Sequence, residues 1–129
     1  MIVVDSSVWI DYFNGRSTPE TVRLDELLGS EPVAIGDIIL AEVLQGFHTE
    51  NDARRAEFFL TRLVVFDMLG RDRAKAAAHR YRQLRRRGVT IRKTADVVIA
   101  SFCIAEGHRL LASDRDFDPF TDEFGLLRA

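Results

Sequence analysis

Short aliphatic runs alternate with amphipathic stretches along this chain. Ile2–Val4 is an unbroken apolar run ending at Asp5, the pattern of a buried strand. Ser6–Phe13 follows with Val8, Trp9, Tyr12 and Phe13 at helical spacing, and Asn14-Gly15 stops it. Ser17-Thr18-Pro19-Glu20 has the form of a capping box, with proline tolerated in the first turn. The helix it opens turns Val22, Leu24, Leu27 and Leu28 inward and ends at Gly29. Pro32–Ile35 reads as a second strand.

Asp37–Phe47 predicts another helix, with Gly46 near its end, and Asn51 stands where it would cap the next one. That helix carries Ala53, Ala56, Phe58, Phe59, Leu60 and Leu63. Val64–Phe66 is a third strand. In Asp72–Arg87, the residues Ala74, Ala77, Ala78, Tyr81 and Leu84 form the apolar stripe of a helix that Gly88 terminates. Thr94 is expected to cap a helix reaching Glu106 and stopped by Gly107; Arg109–Ala112 is a fourth strand and Leu126–Leu127 a candidate fifth.

No repeat, low-complexity tract or linker interrupts this alternation, so residues 1–129 are expected to form a single domain. Short apolar strands separated by helices imply right-handed crossovers and a parallel sheet covered on both faces. The expected fold class is therefore α/β, a three-layer α/β/α sandwich around a central parallel sheet of four to five strands. In such sheets ligands bind beyond the carboxyl ends of the strands, which directs attention to the residues just after them.

Composition narrows the function. Apolar residues make up 47% and charged residues 29% of the chain, which excludes a disordered tail or a collagen-like repeat. The longest stretch without a charge, Val97–Ala105, is far short of a bilayer span, and Asp5 and Asp11 interrupt any leader-like core at the start. A lone cysteine, Cys103, fits a reducing cytoplasm.

Net charge is only −2, but its distribution is uneven. Arg71–Ala95 holds ten basic residues against the single Asp72, so the rest of the chain is acidic. A solvated helix face explains such a segment as readily as a surface for a polyanion.

Asp5 directly follows the first strand, and Asp114 lies just beyond the fourth. Each alone also suits a turn or a helix cap. Glu42 sits in Ile38-Ile39-Leu40-Ala41-Glu42-Val43-Leu44, apolar on every side, so either a buried ion pair or a ligand role suits it. Asp96 opens Val97-Val98-Ile99-Ala100 in a first turn, where it would complement the helix dipole or face a ligand. If these four meet, mutual repulsion demands a cation, protonation or basic neighbours. An all-oxygen set suits magnesium or manganese rather than zinc, and Asp116 and Asp118 extend it. His48, His79 and His108 have no zinc-type spacing, and no GxSxG, Walker A or GxGxxG motif occurs.

The ordered series of Asp5-Ser6-Ser7 after a strand, Glu42 followed by Gly46, Asp96 heading Val97-Val98-Ile99-Ala100, and Asp114-Arg115-Asp116-Phe117 resembles the PIN-domain ribonucleases, above all the VapC-type toxins of toxin–antitoxin pairs. The likeness spans nearly the whole chain. It implies a PIN-like, Rossmann-related fold in which Asp5, Glu42, Asp96 and Asp114 form an acidic quartet. In that pattern Asp5, Asp96, Asp114 and Asp116 hold metal, and Ser7 supports Asp5 by a hydrogen bond. One departure stands out: where relatives often carry threonine two residues before the fourth acid, this chain has Ala112, with Ser113 beside it.

The resemblance implies a magnesium-dependent endoribonuclease, with manganese as substitute and one or two ions. The expected substrate is a structured RNA such as tRNA, whose cleavage stops translation. Arg85, Arg86, Arg87, Arg92 and Lys93 are the expected RNA-binding residues. A homodimer and a cognate VapB-type antitoxin are the expected partners, the latter in an apolar groove drawn from Trp9, Tyr12, Phe13, Phe47, Phe58 and Phe59. Two rivals differ in kind: a magnesium-binding phosphoryl-transfer domain with an aspartyl nucleophile, served by Lys75 or Lys93, and a non-catalytic RNA-binding module.

Overall fold

In a computed structural model, which describes residues 1–129, the alternation becomes four strands and seven helices. Strand β1 (Ile2–Val4) leads to α1 (Ser6–Phe13) and α2 (Pro19–Leu28), then β2 (Val33–Gly36) to α3 (Asp37–Gln45) and α4 (Glu50–Leu60). Strand β3 (Val64–Phe66) precedes α5 (Arg71–Arg86) and α6 (Thr94–Glu106). Strand β4 (Arg109–Leu111) ends in a 3-10 turn, Arg115–Phe117, and α7 (Asp118–Phe124).

The sheet runs β3-β2-β1-β4 and every pairing is parallel. Chain order moves outward from β1 to β3 and then returns to the far side of β1. Right-handed crossovers therefore put α1–α4 on one face and α5–α6 on the other. The helix contacts divide the same way: α1 packs against both α2 and α3, and α3 against α4, while α5 packs on α6. The reversal lies between β1 and β4, so the switch point is flanked by the residues after those strands, Asp5 and Asp114. Asp5 is tied there by its amide, which donates to the Leu111 carbonyl at 2.9 Å.

The three residues of β1 are all buried, as a central parallel strand requires, whereas β3 is an edge with Val64 and Val65 exposed. Helix α6 is buried continuously from Asp96 to Cys103, which explains why it is apolar on all sides and why Cys103 is inert packing. No helix is long and apolar enough to cross a membrane.

Several boundaries differ from expectation. The capping box is built by Thr18 and Thr21, each hydroxyl taking the other's amide at 3.0 and 2.8 Å, not by Ser17 and Glu20. Within that helix Val22 faces outward (51% exposed), while Leu24 and Leu27 lie in the core. Thr49 rather than Asn51 caps α4, and Phe58 points to solvent (66% exposed). Lys93 occupies the cap position of α6, with Thr94 inside the first turn. The fifth strand reduces to one parallel bridge, Leu110 with Arg128, so the sheet has four strands.

A tight contact locks the end of β2. A Cβ on Gly36 would lie 2.1 Å from Sδ of the fully buried Met68. Next to it, Asp37 Oδ1 accepts from the amides of Ile38 (2.8 Å) and Met68 (3.1 Å), joining the start of α3 to the loop after β3.

Candidate metal centre

Four elements converge at the switch point. β1 delivers Asp5, the second turn of α3 delivers Glu42, the first turn of α6 delivers Asp96, and the segment after β4 delivers Asp114 and Asp116. Carboxylate oxygens of Asp96, Asp114 and Asp116 all lie within 4.8 Å of one another, a group able to hold a metal ion. Asp5 and Glu42 stand outside that tightest group but share its field. The Asp5 charge raises the pKa of both Asp96 and Glu42, and Glu42 in turn acts on Asp96.

Burial dominates the electrostatics. Asp96 (6% exposed) is pushed up to about 6, first by burial and then by Asp5, Asp114 and Glu42, with Lys93 opposing. Asp5 (4% exposed) is raised by burial and by Asp114, while the Ser7 hydroxyl and the first amides of α1 pull it down. Glu42 is raised by burial and Asp5, against Ser6 and Lys93.

Two acceptor atoms here are buried without any partner, Asp96 Oδ2 and Glu42 Oε1. Buried carboxylate oxygens left unpaired are costly, and a cation is what such a set is chemically suited to satisfy. All donors are oxygens, which fits a hard divalent ion. The residues therefore fit the expected metal.

Ser7 Oγ donates to Asp5 Oδ2 at 2.9 Å and lies 3.2 Å from Ser113 Oγ. Ser113 thus brings to Ser7 a hydroxyl that Ala112 cannot supply. Asp114 Oδ1 accepts the Asp116 amide at 2.9 Å, which folds the 3-10 turn back onto the centre.

The expected RNA-binding cations divide into groups. Lys93 is exposed, yet its charge lies near enough to oppose the upward pKa shifts of Asp96 and Glu42. Arg92 directs Nε (3.2 Å) and Nη2 (3.1 Å) to Asp116 Oδ2. Arg87 pairs with Glu123 at 3.0 Å, and Arg85 lies over the Tyr81 ring. Arg86 is exposed at the end of α5. Nothing in the sequence announces the Arg92–Asp116 pair, since the two are 24 residues apart and only the fold brings them together.

The aromatic candidates also divide. Trp9 is fully buried and belongs to the core, contrary to a groove-lining role. Phe13, Phe47 and Phe59 line an open groove of about 490 Å³ with His48 and Arg55; Tyr12 and Phe58 lie outside it.

The PIN domain profile matches residues 2–122. This chain belongs to the PIN domain family. A VapC ribonuclease of Mycobacterium bovis and ribonuclease VapC11 of Mycobacterium tuberculosis are each 32% identical to it over 120 residues, covering 92% of this chain and 90% of theirs. The PIN fold is shared at lower identity with VapBC2 from Rickettsia felis, solved on a promoter DNA fragment. There the TM-score is 0.77 at 22% identity, over 100% of this chain and 98% of that one. VapC20 of M. tuberculosis, described as a sarcin–ricin loop cleaving toxin, aligns along 100% of both chains with a TM-score of 0.69 and 20% identity. This PIN domain is thus of the VapC type.

Proposed function

We propose that this PIN domain, acting as a single unit over residues 1–129, is a magnesium-dependent endoribonuclease toxin that cleaves a structured RNA, tRNA foremost, and so stops translation. The carrying observation is the convergence of Asp96, Asp114 and Asp116 oxygens within 4.8 Å beside two buried, unpartnered carboxylate oxygens. The naming of its relatives as ribonucleases supports RNA as substrate.

Asp5, Asp96, Asp114 and Asp116 would hold one or two Mg²⁺ ions, with Mn²⁺ as substitute. When bound, a divalent ion supplies Lewis acidity at the scissile phosphate. Ser7 fixes the orientation of Asp5. Glu42, with one buried and unpartnered oxygen beside these acids, would act through a water, as a water-mediated ligand or by positioning the nucleophile. Arg85, Arg86, Arg87, Arg92 and Lys93 bind flanking phosphates. The protein works in the cytoplasm as a homodimer, and a VapB-type antitoxin lays an apolar segment in the groove of Phe13, Phe47 and Phe59.

The test is to incubate antitoxin-free protein with end-labelled total tRNA and, separately, a sarcin–ricin loop RNA in Mg²⁺. Discrete tRNA fragments support the reading. Cutting of the loop alone moves the substrate to ribosomal RNA, and an acid-labile aspartyl phosphate without RNA cleavage overturns it in favour of phosphoryl transfer.

A further inference from the structure

Arg92 reaches from the loop before α6 to the 3-10 turn after β4, and both its donors converge on one oxygen, Asp116 Oδ2. Its side chain is 73% exposed, so the guanidinium is held by this contact alone and is otherwise free to swing. The carboxylate it neutralises is one of the three whose oxygens cluster within 4.8 Å. A cation is therefore already installed on a group that the proposed metal needs. Lys93, next in sequence and also exposed, adds a second positive charge whose field reaches Asp96 and Glu42.

We infer that Arg92 is a shared cation: it holds Asp116 while the centre lacks metal, and metal loading hands it to a phosphate of the bound nucleic acid. This rests on the metal-centre reading above and adds to it a coupling between two binding events. A divalent ion drawing on Asp116 weakens the hold on Arg92 electrostatically, whichever carboxylate oxygen it takes. The released guanidinium lies beside the centre and suits a phosphate in two-point geometry. Linkage makes the effect reciprocal, so a phosphate that captures Arg92 must tighten the metal by the same factor.

The test measures Mn²⁺ binding by calorimetry with RNA-free wild type, Arg92→Ala, Arg115→Ala and Asp96→Asn. An exposed ion pair sets the scale, so Arg92→Ala is expected to bind Mn²⁺ about fivefold tighter than wild type. Arg115→Ala removes an exposed cation from the same turn without touching Asp116 and is expected to change binding less than about twofold. Binding of a fluorescein-labelled DNA hairpin, which offers phosphates without 2′-hydroxyls, is then compared with and without Mn²⁺. Mn²⁺ tightens wild-type binding, and Arg92→Ala loses most of that gain. Unchanged or weaker Mn²⁺ binding in Arg92→Ala, or an equal gain in Arg115→Ala, overturns the inference while leaving the metal centre intact. If wild type takes up no Mn²⁺, or Asp96→Asn takes it up equally well, the centre itself is wrong and the inference falls with it.

Discussion

The Ser7 hydroxyl donates to Asp5 Oδ2 at 2.9 Å, two residues along the chain and just inside the first turn of α1. Asp5 occupies the cap position of that helix, yet its side chain makes no capping bond. It is turned towards the acidic centre and steadied there by serine.

Removing that support has a graded consequence. Groups that orient a metal-binding carboxylate typically change metal affinity by about 10- to 100-fold. Ser7→Ala is expected to weaken Mn²⁺ binding and RNA cleavage by about tenfold, with the melting temperature little altered. Ser113→Ala reaches Asp5 only through Ser7 and is expected to cost less, about twofold. Equal losses in the two variants would show that Ser113 acts on the centre directly.

Asp96 gives the centre a pH dependence. Its folded pKa of about 6 lies above the ordinary value of 3.8, so the folded chain binds more protons than the unfolded one between those limits. The contribution of this group to the stability of the metal-free protein is therefore fully present below that window and lost as pH climbs through about 6. Asp96→Asn is expected to stabilise metal-free protein at pH 8 by about 1 kcal/mol while abolishing metal uptake. Metal binding runs the other way, because protons compete with the ion, and Mn²⁺ affinity should fall about tenfold per unit below pH 6. Denaturant titrations and calorimetry at pH 5, 6.5 and 8 check both trends.

Gly36 fixes how α3, and with it Glu42, leaves the sheet. Because a Cβ there meets Met68 Sδ at 2.1 Å and Met68 is fully buried, Gly36→Ala is expected to destabilise the fold by about 1–3 kcal/mol. Adding Met68→Ala opens the space, so the double variant should lose less than the sum of the two single ones, as chemical denaturation would measure.

The basic helix end predicts a salt signature. Replacing Arg85, Arg86 and Arg87 by alanine should weaken RNA binding and lower the slope of log affinity against log salt by about 2, one unit per lost phosphate contact. Arg87 gives up less because Glu123 already holds it. Fluorescence anisotropy from 50 to 200 mM salt reads the slope.

Alternation of short aliphatic runs with amphipathic stretches carried the fold, because buried parallel strands such as Ile2–Val4 must be apolar throughout. Helix edges were less legible. At residues 17–21 and 49–51 neighbouring hydroxyl and amide side chains offer competing caps, and only tertiary packing chose Thr18 with Thr21, and Thr49. Val22 and Phe58 fit a helical stripe, but the sheet covers a narrower face than the pattern allows. The acids were readable because Asp5 and Asp114 follow strands and Glu42 interrupts an apolar run. The Arg92–Asp116 and Ser7–Ser113 contacts were not, since they join residues 24 and 106 positions apart and depend on side-chain directions set by the fold.

The most direct measurement of the central claim is cleavage of end-labelled tRNA by wild type and Asp96→Asn, each with Mg²⁺ and with excess chelator. Discrete fragments are expected from wild type with Mg²⁺ alone. Fragments that persist in chelator, or at an undiminished rate in Asp96→Asn, would contradict a metal-dependent nuclease built on this acidic centre.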